Sequence, residues 1–257
     1  MNSKPLQPVS KKPELRILLW GLTGHGKSTV GNAIVGGTPF KARQSFASVT
    51  KKCQMERKEL NGQTLVVVDT PGVFRTNTDP ETMGADILES IECVDPGPHV
   101  ILFVVNGTKR SREVLIVLEI FDQVFQGAEA HTIVVITHVT QADDVLRQSS
   151  FKKFIDKKKH HCFVNHKQDE DNTQLTSLMQ MIQDLDVKNK HGCYRNEMIG
   201  EALKEVSKYL KAKSQPEPTK AAVAELLLDG FSDILAEECP NLKRFYDFLV
   251  KTAGKLL

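Results

Sequence analysis

Gly21–Ser28 reads GLTGHGKS and fits the pattern GxxxxGK[ST]. It follows a largely apolar run, Arg16–Trp20 (RILLW), and opens a segment of helical character, Lys27–Val35. A strand, a glycine-rich loop and a helix, in that order, form a cradle for phosphate. Gly21, Gly24 and Gly26 carry no Cβ, so backbone N–H groups can wrap an anion. The helix start adds free N–H groups and the positive end of its dipole. Lys27 adds a point charge for the β- and γ-phosphates, and the Ser28 hydroxyl can ligate Mg²⁺. The expected phosphate contacts are Gly21, Leu22, Thr23, Gly24, His25, Gly26, Lys27, Ser28 and Thr29.

Outward from this loop, short apolar runs recur at Leu65–Val68, Val100–Val105, Ile133–Ile136 and Cys162–Val164. They are rich in Val and Ile, too short for helices and apolar throughout. They read as parallel strands buried on both faces. Longer segments alternate with them: Glu81–Ile91, Val114–Phe125, Asp144–Ile155 and Leu175–Asp186. The alternation predicts an α/β fold, a doubly wound and mainly parallel P-loop sheet with helices on both faces. Phe40–Leu60 reads mostly as loop, ahead of a strand pair turning at Asn61–Gly62. Residues 1–13 read as a flexible arm and 14–195 as the α/β domain. Residues 196–257 read as a helical extension, with a Pro-containing linker near 211–220.

Asp69–Gly72 (DTPG) ends the strand at Leu65–Val68. An acid there stands at the ligand-binding edge of an open α/β sheet. Asp69 is the expected second Mg²⁺ group, and Gly72 N–H the expected γ-phosphate contact. A switch NTPase also needs a hydroxyl between these motifs, so that loss of the γ-phosphate releases a loop. Thr50 is the candidate, with Ser48 as the alternative.

The chain has 257 residues, 40% hydrophobic and 26% charged, with a formal charge of +2. That balance suits a globular protein and gives no global reason to bind nucleic acid. No apolar run approaches the roughly 20 residues of a membrane span. The first 16 residues show no signal-like apolar core, and the five cysteines are scattered without CxxC spacing. A cytoplasmic location is the expectation. Lys152–His161 (KKFIDKKKHH) is the one basic cluster, placed on a helix and loop. It reads as a solvated face, with peripheral contact to anionic lipid or a partner as the alternative.

GLTGHGKSTVGNAIVG, SVTKKC, DTPGVF, DPGPHVILFVV, TIVVITH and CYRNEM together resemble the AIG1-type GTPases, the IMAP/IAN family. The similarity spans Leu15–Met198. The GPHV and CYRNEM segments are its most specific parts. The resemblance implies a G domain that binds GTP or GDP with Mg²⁺ and a guanine-reading loop after the fifth strand. Ordinary GTPases use [NT]KxD there; this loop is Thr137–Thr140, THVT. Thr140 cannot replace the bidentate acceptor of an aspartate. The resemblance gives His138 the place flanking the base, and Asn165 that of the first Asn of the family's pair.

Val73 occupies the slot where many GTPases place a water-orienting Gln. Intrinsic hydrolysis is therefore expected to be slow unless a group arrives in trans. The family resemblance implies nucleotide-dependent homodimers in which an Arg crosses between G domains. That slot falls on Lys109 or Arg110, with Arg110 the candidate and Arg75 another; solvated surface charge is the competing reading. The residues expected to carry catalysis are Lys27, Thr50, Gly72 and Arg110, and those expected to hold metal are Ser28, Thr50 and Asp69. The leading expectation is a guanine-nucleotide switch with slow or dimer-stimulated hydrolysis. A catalytically weak scaffold is the alternative, and a P-loop kinase or ATPase a third reading.

Overall fold

The computed structural model describes residues 12–41, 53–72, 93–94, 96–108, 114, 117–118, 121–122, 124–139, 155, 158–163, 173–195, 247 and 251. Among the described residues six strands form one sheet: β1 (Lys12–Trp20), β2 (Gln54–Leu60), β3 (Gln63–Asp69), β4 (Val100–Asn106), β5 (Thr132–Thr137) and β6 (Lys159–Phe163). Their order is β2-β3-β1-β4-β5-β6. Only β2 runs antiparallel to its neighbour; the other pairings are parallel.

Every residue of β4 and of β5 is buried, the expected state of strands covered on both faces. On one face, Leu15, Ile17 and Leu19 of β1 pack with Val30 and Ile34 of helix α1 (Lys27–Val35). Leu178, Ile182 and Leu185 of helix α2 (Thr173–Lys188) complete that layer. Spacings of three and four keep these side chains on one stripe of each helix. On the other face, Trp20 meets Phe103, Phe121 and Phe125 at ring-centroid distances of 5.7, 5.4 and 5.4 Å. Phe121 belongs to a buried helical series with Val114, Val117, Leu118 and Val124.

The two halves of the sheet meet at β1. From β1 the chain goes to the outer strand β2, returns through β3 beside β1, then crosses to β4 on the other side. Open α/β sheets bind ligands at the carboxyl ends of strands where the order reverses in this way. Gly21 begins directly after β1, so the glycine loop lies at that point.

Three boundaries differ from the sequence reading. β1 starts at Lys12 inside the expected arm, with a register shift between Lys12 and Leu15 around Pro13, which has no N–H for the ladder. β2 occupies the last third of the expected loop. It turns into β3 at Asn61 and Gly62, whose φ values of 50° and 77° make the tight reversal of a hairpin. The basic run ends in β6, which takes Lys159–His161, so this part is strand rather than helix and loop. Lys158 is buried: its Nζ stands 2.8 Å from Asp122 Oδ1 and 5.9 Å from the centre of the Phe121 ring. It is no part of a solvated basic face. Apart from Asp247 and Lys251, both helical, residues 196–257 lie outside the described residues.

Candidate functional site

The glycine loop is shaped by backbone freedom and close contact. Gly24 and Gly26 have φ of 72° and 92°, conformations that side chains resist. A Cβ on Gly21 would lie 2.3 Å from Val104 O, so this corner admits only glycine. Lys27 opens α1 and is buried; its Nζ donates to Gly21 O and Leu22 O at 3.1 Å each. Burial pushes its ammonium down to about 8, and the nearby Asp69 charge opposes that shift. The loop thus holds a buried amine against two of its own carbonyls.

Ser28 and Asp69 come together as expected. Ser28 Oγ donates to Asp69 Oδ2 at 2.6 Å, and Asp69 is fully buried at the end of β3. Two hard oxygen ligands this close suit one Mg²⁺ ion, with phosphate oxygens and water filling its other positions. Among the described residues no group of three His, Cys, Asp or Glu could hold a metal. Thr29, in the first turn of α1, is half-buried.

The DTPG segment is fastened from two sides. Thr70 Oγ1 donates to Leu19 O at 2.7 Å, which ties β3 to β1 under the loop. Thr23 Oγ1 donates to Gly72 O at 3.2 Å, and a Cβ on Gly72 would fall 2.2 Å from that hydroxyl. Gly72 is therefore glycine because Thr23 occupies the space. This contact brings the γ-phosphate candidate Gly72 against the phosphate loop.

The THVT loop joins the same centre. Thr137 Oγ1 donates to His25 O at 2.8 Å, and a Cβ on Gly26 would lie 3.4 Å from Thr137. His138 is exposed, with φ 58° and its Nδ1 2.9 Å from Thr137 Oγ1. The same Thr137 hydroxyl also lies 3.3 Å from Val105 O, so it joins β4, β5 and the phosphate loop.

Thr50, Arg110 and Asn165 lie outside the described residues, as do Arg75, Lys109 and Thr140. The site also includes Asn106, which the sequence reading did not assign to it, and gives a part to Thr137, read there only as the start of the THVT loop. Thr137 is the hydroxyl that fastens the loop. Asn106, the polar end of an otherwise apolar strand, places its backbone N–H 3.1 Å from His25 Nδ1. A polar residue closing an apolar run at the carboxyl edge of the sheet is the signal that marks it.

The GPH and CYR segments, the most specific part of the resemblance, pack on each other at the opposite edge of the sheet. Tyr194 N donates to Pro98 O at 2.8 Å, and Tyr194 Oη to Gln126 O at 2.9 Å. Arg16 Nε donates to Gly97 O, and Arg16 N to His99 Nδ1, each at 2.9 Å.

A model of the AIG1 family matches residues 15–214. The chain belongs to the AIG1 family. It is 34% identical over 182 residues to GTPase IMAP family member 8 of Homo sapiens, covering 66% of this chain and 27% of that protein. The chain spans between about a fifth and two fifths of the length of the curated relatives it matches. The fold is that of P-loop GTPases. A structure of Toc33 from Arabidopsis thaliana with Mg²⁺ and GMPPNP has a TM-score of 0.52 at 20% identity, over 68% of this chain and 85% of that one. A structure described as showing that dimerization matters to the GTPase activity of atToc33 and psToc159 has a TM-score of 0.53 at 19% identity. It covers 67% of this chain and 82% of that chain. GPH and CYR, the two segments most specific to the resemblance, thus meet in one contact.

Proposed function

We propose that this AIG1 domain is a guanine-nucleotide-binding switch that takes GTP or GDP with Mg²⁺. The observation that carries the reading is the Ser28–Asp69 pair, 2.6 Å apart, beside buried Lys27 in a glycine loop. Lys27 and the loop amides bind and orient the phosphates. The cation, held by Ser28 and Asp69, would neutralise phosphate charge. His138, tied to Thr137, stands at the base in place of the missing aspartate.

Hydrolysis by the lone chain is slow in this reading. Val73 supplies no amide to orient water, so a group from a second copy is needed. The dimerization stated for Toc33 and psToc159 supports a G-domain homodimer that forms with GTP and relaxes with GDP. Arg110 is the proposed crossing residue. The competing reading, a nucleotide-bound scaffold, also follows from Val73. Among the described residues no helix is long and apolar enough to cross a membrane.

Titration of the chain with mant-GTP, with ATP and GTP as competitors, tests the reading. Displacement by GTP alone is the expected result; equal displacement by ATP would overturn the guanine assignment. Turnover measured against protein concentration separates the two versions. A rate per molecule that rises with concentration supports trans activation, and a flat rate near zero supports the scaffold.

A further inference from the structure

We propose that His25, at a variable position of the GxxxxGK[ST] pattern, is a positioning residue that sets the phosphate loop through its ring. This rests on the nucleotide-binding reading above. His25 stands between Gly24 and Gly26, both with positive φ, so the loop can swivel on either side of it. It is nonetheless 2% exposed and anchored at three atoms. Its N–H reaches Leu22 O at 3.4 Å, its oxygen accepts from Thr137 Oγ1 at 2.8 Å, and its ring Nδ1 accepts from Asn106 N at 3.1 Å.

The last two anchors belong to a closed circuit. Gly107 N donates to Thr137 O at 2.9 Å, so the ends of β4 and β5 are joined to each other as well as to His25. The donor that meets the ring is itself held. Asn106 Oδ1 accepts from Thr108 N and Thr108 Oγ1 at 2.9 and 2.7 Å, which fixes the turn after β4. A loop flexible at two glycines is thereby pinned at the residue between them. Its amides meet phosphate already oriented, so binding spends less on ordering the loop. A P-loop with an apolar residue here would fill the space but leave Asn106 N–H without its acceptor.

The ring's geometry makes the role testable. Asn carries a side-chain oxygen near the place of His Nδ1, whereas Gln reaches the place of Nε2. His25→Asn, His25→Gln and His25→Val are compared with the wild-type chain in mant-GTP titrations, each well below its own unliganded melting temperature. His25→Val and His25→Gln are expected to bind about ten-fold more weakly, the value of one hydrogen bond, and His25→Asn within about three-fold of wild type. If His25→Val does not fold, the comparison of Asn with Gln decides alone. Equal affinity for Asn and Gln variants, or wild-type affinity in His25→Val, would overturn the role of the ring. A wild-type chain that binds no mant-GTP would remove the nucleotide reading itself, and this inference with it.

Discussion

Thr137 Oγ1 lies 2.8 Å from His25 O, so the strand that leads into the THVT loop is bonded to the phosphate loop 112 residues earlier. The THVT loop and the glycine loop are therefore fastened to each other. The His138 ring is tied to the same hydroxyl, its Nδ1 2.9 Å away.

Thr137→Val keeps the shape and removes the donor. His25 O loses its partner, and the His138 ring loses the group that orients it. Guanine-nucleotide affinity is expected to fall about ten-fold, near the value of one buried hydrogen bond. The GTP-over-ATP preference should narrow too. Parallel competition titrations measure both, and unchanged affinity would show that the contact plays no part in binding.

Lys27 links binding to stability. Folding lowers its pKa from 10.5 to about 8, mainly by desolvation, so the folded chain disfavours the ammonium by roughly 3 kcal/mol. The stability tied to this group is fully present above pH 10.5 and is lost as pH falls through about 8. Lys27→Met should abolish nucleotide binding. It should also gain stability over the unliganded wild type as pH drops from 10 to 7. Urea midpoints of both proteins at those two pH values check the sign. A gap that fails to move in favour of the variant would contradict the buried-charge account.

His99 gives a second pH dependence, of a different window. Burial and the Arg16 guanidinium hold its pKa below 6.5, and its Nδ1 accepts the Arg16 N–H. Asp186, Glu14 and His131 also act on it, the two carboxylates raising its pKa and His131 lowering it. The neutral ring is the folded form, so the stability is complete above pH 6.5 and is lost as pH falls through the lower folded value. His161 is depressed by burial too and adds to the same trend. His99→Asn keeps an acceptor but does not titrate, so its stability should decline less than wild type between pH 7 and pH 5. Denaturant midpoints at the two pH values are the measurement.

What was legible in the sequence depended on how local the physics was. The glycine loop, the buried strands β3, β4 and β5 and the Asn61–Gly62 turn each follow from neighbouring residues, and each stands where the pattern placed it, whereas β6 begins at Lys159 rather than Cys162 and buries only Phe163. β2 escaped because Gln54–Leu60 puts polar residues on both of its faces, leaving no period of two in hydrophobicity. Lys158 looked like part of a charged surface because its counterion, Asp122, lies 36 residues away. In the site, Ser28 and Asp69 were legible from their motifs. The hold of Asn106 on His25 was not, since it crosses 81 residues and uses a backbone N–H that carries no residue signature.

The packing of GPH on CYR predicts two substitutions of very different severity. Gly97 has φ 143°, and a Cβ there would lie 2.0 Å from Tyr194 O, a backbone atom that cannot swing aside. Gly97→Ala must separate the two segments, and a loss of more than about 3 kcal/mol is expected from strain combined with the loss of close packing. Tyr194→Phe removes only the hydroxyl that donates to Gln126 O and should cost about 1 kcal/mol. Both changes lie at the edge of the sheet away from the phosphate loop, so the Tyr194→Phe protein should bind mant-GTP as the wild type does. Chemical denaturation of the three proteins, with titration of the folded ones, tests this. Comparable stability for both variants would mean that the segments separate without cost, and that their contact is not what makes Gly97 necessary.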